Sequence, residues 1–141
     1  MILHSSRSGL PSSPAEEFAL TVAFARAGAN GLGWNATVGQ RQVALHIPPT
    51  HWGYNARGHS QRYLAVEFSQ SRQADIIADS QIEAFVWWFQ SVAREQWPSL
   101  PPFFICHSEL EAGVEDGKTD PFPVGAEADI FRQRILDSIP I

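Results

Sequence analysis

The chain holds a single cysteine, Cys106, so no internal disulfide can form. Positive charge is scarce: 10 Lys and Arg stand against 15 Asp and Glu, for a formal net charge of −5. A nucleic-acid partner would call for a basic face, so none is expected. No apolar run reaches the length of a membrane span, so no transmembrane segment is expected. The opening residues show no basic region followed by a long apolar stretch, which predicts no signal peptide and synthesis in the cytoplasm. Charged residues are only 18% of the chain against 44% hydrophobic, a globular composition and not a disordered one. No internal repeat or low-complexity linker interrupts it. The 141 residues therefore suit one domain over 1–141. A domain near this size buries roughly 68–70% of its unfolded surface and needs no staples.

Local patterns supply the elements. Residues 1–4 read as a short buried strand, and 5–14, rich in Ser, Gly and Pro, as a loop. Ser13 suits an N-cap, Pro14 the first helical position, and Glu16 and Glu17 the positive helix end. A helix is predicted from there to about Ala27, with Phe18, Val22 and Ala25 on one face, broken by 28–33. Residues 34–38 and 42–47 read as strands joined by a turn at Gly39, and 48–60 as a long loop. The nearly continuous apolar run 63–68 is the candidate central strand. Residues 79–96 form the longest helix, with Ile82, Phe85, Val86, Phe89 and Val92 at helical spacing and at least one of Trp87 and Trp88 in the core. Trp97-Pro98 ends it. A strand over 103–107, a loop over 108–125 and an amphipathic helix over 126–139 complete the chain. Strands interspersed with helices predict a single α/β domain with a mixed central β-sheet flanked by helices.

Three residues could hold a metal. His4 ends the first strand and His107 a late one; if those strands are neighbours, both imidazoles emerge at one edge of the sheet. Asp120 lies downstream on a loop. A catalytic zinc site needs three such ligands and one open position, which His4, His107 and Asp120 would satisfy. The spacing alone leaves another reading open, because strand-end histidines are often only hydrogen-bonded and Asp before Pro is a common turn former. Glu67, inside Leu-Ala-Val-Glu-Phe, is costly to bury unless paired, hydrogen-bonded or near a metal; otherwise it faces solvent from a half-exposed strand. Cys106, one residue from His107, is expected on the opposite side as an apolar residue and not as a ligand. Trp52, Tyr54, Asn55 and Arg57 lie in a loop that could flank a groove, and Asn35 is a further candidate for substrate contact.

These residues resemble a known family. His107 followed by Lys118-Thr119-Asp120-Pro121 is similar to the closing motif of the N-acetylmuramoyl-L-alanine amidases, which include peptidoglycan recognition proteins, phage lysins and bacterial anhydromuropeptide amidases. The opening Ile-Leu-His-Ser-Ser-Arg-Ser-Gly looks like that family's first motif, and Leu64-Ala65-Val66-Glu67-Phe68 resembles its Ile-Gly-Ile-Glu-Leu strand. The three matches run in family order over nearly the whole chain. The resemblance implies a peptidoglycan-recognition-protein-like fold and Zn2+ held by His4, His107 and Asp120. It implies Glu67 as the acidic catalytic residue and Lys118 as its cationic partner. The substrate implied is peptidoglycan or a muropeptide, met at the cell wall or during recycling, in a phage or bacterial setting.

Departures from the pattern carry information too. Many members have aromatic-His-Tyr on the second strand where this chain has Trp34-Asn35-Ala36, which points to a branch that relies on the glutamate. The family's Trp-His-Ala-Gly segment is echoed only as His51-Trp52-Gly53, and Pro-Gly after the last ligand is Pro121-Phe122. With net charge −5 the chain has no general attraction to an anionic wall, so affinity would have to reside in a specific groove. The rival expectation is a non-catalytic peptidoglycan-binding module of the same fold, for which the full set His4, His107, Asp120, Glu67 and Lys118 would be superfluous.

Overall fold

The computed structural model describes residues 1–6, 9, 13–28, 33–72 and 75–140. Arg7 and Ser8 of the opening motif, and 29–32 of the expected helix break, lie outside the described residues. Among the described residues runs a five-stranded sheet in the order β3-β2-β4-β1-β5, formed by β1 (Ile2–Ser5), β2 (Ala36–Gly39), β3 (Gln42–Leu45), β4 (Ala65–Phe68) and β5 (Ile105–Cys106). β2 and β3 are an antiparallel hairpin; β2, β4, β1 and β5 run parallel. The sheet is therefore mixed, and the central position falls to β4, the strand with the longest apolar run.

The period of two in each strand sorts side chains onto two faces. Leu3, Val38, Val66, Phe68 and Cys106 project into the main core. There they meet α2 (Asp79–Trp88), which continues through a π-helical stretch (Phe89–Ala93) into α3 (Arg94–Gln96), and α5 (Ala126–Ser138). Phe68 sits 5.6 Å from Phe85 and 5.3 Å from Phe131, and Phe104 sits 5.4 Å from Phe85, all between ring centroids. Such ring pairs add about 0.5–1.5 kcal/mol beyond the area they bury. Trp88 is fully buried, while Trp87 is 54% exposed one residue earlier on the outer face.

Helix α1 (Pro14–Ala27) begins and ends where local chemistry dictates. Ser13 and Glu16 make a reciprocal capping box, Pro14 opens the first turn, and Gly28 closes it at φ 55°, a left-handed conformation that suits glycine. Its inner face differs from the expected one. Glu17, Thr21 and Val22 are buried, whereas Phe18 and Ala25 are half-buried. Glu17 turns inward because Ser6 donates a hydrogen bond to its carboxylate at 3.1 Å. Phe18 instead covers Gly39, where a Cβ would come within 2.5 Å of its ring.

Two further expectations need correction. The strand expected over 103–107 is only Ile105–Cys106, because His107 already begins a 3-10 turn (His107–Glu109). Glu109 accepts a hydrogen bond from the Cys106 backbone N–H at 2.8 Å and so draws the chain out of the sheet. The stretch 108–125, expected as a loop, contains α4 (Glu111–Glu115). Gly113 makes that helix possible here: a Cβ at this position would lie 1.9 Å from the His107 carbonyl oxygen.

Candidate metal centre

β1 and β5 are neighbours, so His4 and His107 leave the same end of the sheet, with ring centroids 4.3 Å apart. The segment that follows α4 returns alongside them. The Ser108 backbone N–H donates to the Asp120 carbonyl at 3.1 Å, and the Ser108 hydroxyl donates to the Phe122 carbonyl at 2.6 Å. This stitching sets the Asp120 carboxylate between the two imidazoles. Its Oδ2 lies 3.4 Å from His4 Nδ1 and 3.2 Å from His107 Nδ1.

Those distances test the donor set against zinc. Metal–ligand bonds of about 2.0–2.1 Å at tetrahedral angles put ligand atoms roughly 3.3–3.4 Å apart. Two of the three edges already match, and all three ligand atoms lie within 4.8 Å of one another. Protonation also favours binding. Burial lowers the His4 pKa below the usual imidazole value, which favours the neutral ring a metal requires. For Asp120, burial acts to raise the pKa, but hydrogen bonds from His107 and His4 prevail and hold the carboxyl well below its usual range. The group could hold a metal ion.

Beside this cluster lies a pocket of about 330 Å³ lined by His4, Ser5, Trp34, Asn55, Glu67, His107, Lys118, Thr119 and Asp120. Glu67 is buried on β4 and registers with His4 on one side and Thr37 on the other, so the three share one face of the sheet. The half-exposed alternative for Glu67 is thereby set aside. Lys118 is exposed at the pocket and is the only lysine in the chain. Its backbone N–H donates to the Gly113 carbonyl at 2.8 Å, so α4 carries the lysine to the rim. The pocket thus combines a carboxylate, an ammonium and a potential metal site.

The other candidates divide. Asn55 lines the pocket; Asn35, Trp52 and Arg57 do not. The Asn35 amide accepts from the Ala65 backbone N–H at 2.9 Å and donates to the carbonyls of Ile47, Pro48 and His51, clamping the long loop onto β4. Trp52 lines a separate cavity of about 390 Å³ with Met1, Leu64 and Phe103, at the opposite ends of the parallel strands. Arg57 pairs with Glu115 at 2.6 Å and Asp116 at 3.3 Å, tying the same loop to α4. Cys106 is fully buried in the main core, and burial pushes its thiol pKa up to about 12. It is absent from the metal-competent group.

Sequence reasoning missed Ser5, Trp34 and Thr119 as pocket walls. Trp34 is held in place because its indole N–H donates to the Thr37 hydroxyl at 2.8 Å, and that hydroxyl also bonds His46 Nε2 at 2.8 Å. Three residues apart, Trp34 and Thr37 would fall on opposite faces of a regular strand, so their spacing gives no hint of the contact, and His46 joins only through the hairpin. Compared with known proteins, the chain matches no family model, and no curated protein matches it significantly.

Proposed function

We propose that the chain is a zinc-dependent amidase with a peptidoglycan-recognition-protein-like fold. It hydrolyses the amide bond between N-acetylmuramic acid and L-alanine, in peptidoglycan or in its fragments. The observation that carries this reading is the meeting of His4, His107 and Asp120 in one pocket with Glu67 and Lys118. Those five are the residues that the motif resemblance singles out. The mixed sheet, with both histidines at one end of neighbouring parallel strands, is consistent with it.

When bound, the metal supplies Lewis acidity, polarising the scissile carbonyl and acidifying water. The chain's own groups do the rest. Glu67 takes a proton from the attacking water as its oxygen adds to the lactyl carbonyl carbon. It then delivers that proton to the L-alanine nitrogen as the C–N bond breaks. Lys118 offsets the negative charge that grows on the carbonyl oxygen, an effect worth about 3–4 kcal/mol for a well-aimed donor. His4, His107 and Asp120 hold the metal. Asn55, Trp34 and Thr119 wall the pocket.

Digestion of purified peptidoglycan by the zinc-loaded protein, with mass spectrometry of the products, tests the reaction. Free stem peptides with an L-alanine N-terminus are expected, and chelation should abolish them. Retention of muropeptide with no cleavage under any metal condition would establish the binding-module reading instead. Cleavage at another amide would keep the hydrolase and discard this substrate.

A further inference from the structure

His4 has two ring nitrogens, and the one beside Asp120 is Nδ1, 3.4 Å from Oδ2, so Nδ1 would be the metal ligand. The other, Nε2, is shielded from solvent and has no close hydrogen-bond partner. A second side-chain atom nearby has the same deficit: Asn55 Oδ1 is buried and receives no close hydrogen bond. Both residues line the same pocket, and the Asn55 side chain acts on the His4 ring as an acceptor does, raising its pKa against the effect of burial. Once Nδ1 binds a metal, Nε2 carries the ring proton, and pairing that donor with the unpaired Asn55 oxygen recovers the desolvation cost of both groups.

We infer that Asn55 is a positioning residue for the metal site: its amide oxygen accepts the proton of His4 Nε2 and thereby keeps the lone pair on Nδ1 directed at the metal. The inference rests on the metal-binding part of the function proposed above. It also reassigns Asn55, which the sequence marks as a substrate contact. The amide cannot serve equally well in either orientation. Its Nδ2 donates to the Gly53 carbonyl at 2.7 Å and reaches the Gly33 carbonyl at 3.5 Å. Turning the group over would set Oδ1 against those two oxygens and present donors to His4. Its backbone is fixed as well, since the Asn55 N–H donates to the Ser60 hydroxyl at 3.0 Å. Gly53 lets the loop come this close, because a Cβ there would stand 2.7 Å from the Gly33 oxygen. The loop thus holds Asn55 ready whether or not metal is present, the arrangement by which outer partners fix the tautomer of a ligating histidine.

The test uses Zn2+ alone as probe, with wild type, Asn55→Leu and Asn55→Asp. Leucine removes the acceptor and the loop donor; aspartate removes only the donor. Zinc affinity is expected to fall about 10–100-fold in Asn55→Leu and to stay within about threefold of wild type in Asn55→Asp. Nitrogen-15 NMR of the zinc-loaded wild type, with His4 assigned against His4→Gln, should find the His4 proton on Nε2. Wild-type affinity in folded Asn55→Leu, an equal loss in Asn55→Asp, or a proton on Nδ1 would each overturn the inference. Should Asn55→Leu fail to fold, the wild-type tautomer and the Asn55→Asp affinity decide it. If wild type itself binds no zinc, the metal reading falls first and this inference with it.

Discussion

The two faces of the sheet are built from alternate residues of the same strands, yet they are made of opposite chemistry. One presents Leu3, Val38, Val66, Phe68 and Cys106 to α2 and α5, a dry core with aromatic rings in contact. The other carries His4, Glu67 and Thr37 in a row across three strands. A small apolar cluster of Ile2, Ala56 and Leu110 also packs together outside the main core. Burying such polar groups is costly unless each finds a partner. The apolar face offsets that cost and fixes the position of every strand, so the polar row stands on a rigid floor. Stability and chemistry are thereby separated by a single peptide bond at each step along β1 and β4.

Three substitutions can break or sharpen this contrast. The largest effect is expected from Glu67→Gln, which keeps shape and hydrogen-bonding capacity but cannot act as a base. Turnover of muropeptide should fall about 10²–10⁴-fold, with zinc content and unfolding midpoint near wild type. Wild-type-like cleavage would remove Glu67 from the role of base. Next is its neighbour Phe68→Ala, one residue along and on the other face. Urea unfolding should show a loss of about 3–5 kcal/mol. A cost below about 1 kcal/mol would mean that the aromatic core is not what holds the sheet, since surface sites alone behave so. The smallest effect belongs to Cys106→Ser, a loss of about 1–2 kcal/mol as a hydroxyl replaces a buried thiol. Its zinc content should be unchanged, and the wild-type thiol should react with an alkylating reagent only on unfolding. Loss of metal from that variant would make the thiolate a ligand and merge the two faces.

Some of this arrangement was legible from the residues alone. Ser13, Pro14 and Gly28 mark the ends of α1 because caps act over three or four residues, and the helix runs Pro14–Ala27 as read. The helical run 79–96 and the stop at Trp97 were equally local. The burial of Glu17 was not legible, since its partner Ser6 comes from the far side of a loop. Nor was Asn35 readable as a clamp, because all four partners of its side chain lie beyond the hairpin. Trp52 shares a loop with Asn55 yet opens onto a different cavity, a distinction that composition cannot make. Helix α4 escaped notice because Gly113 and Gly117 look like breakers until Gly113 is seen against the His107 carbonyl.

By itself, then, the sequence determined the local elements and the alternation that gives β1 and β4 one apolar and one polar side, because dihedral preference, capping and side-chain period act between near neighbours. The tertiary structure alone decided that β1 lies between β4 and β5, and so that His4 meets His107 and Asp120, over a hundred residues away. Strand order follows from covering both faces of the sheet at once, and no short stretch of chain encodes that condition. Closing so long a loop costs only slightly more than closing a short one, since the entropy grows with the logarithm of length. The burial of the whole sheet is what draws these ligands together.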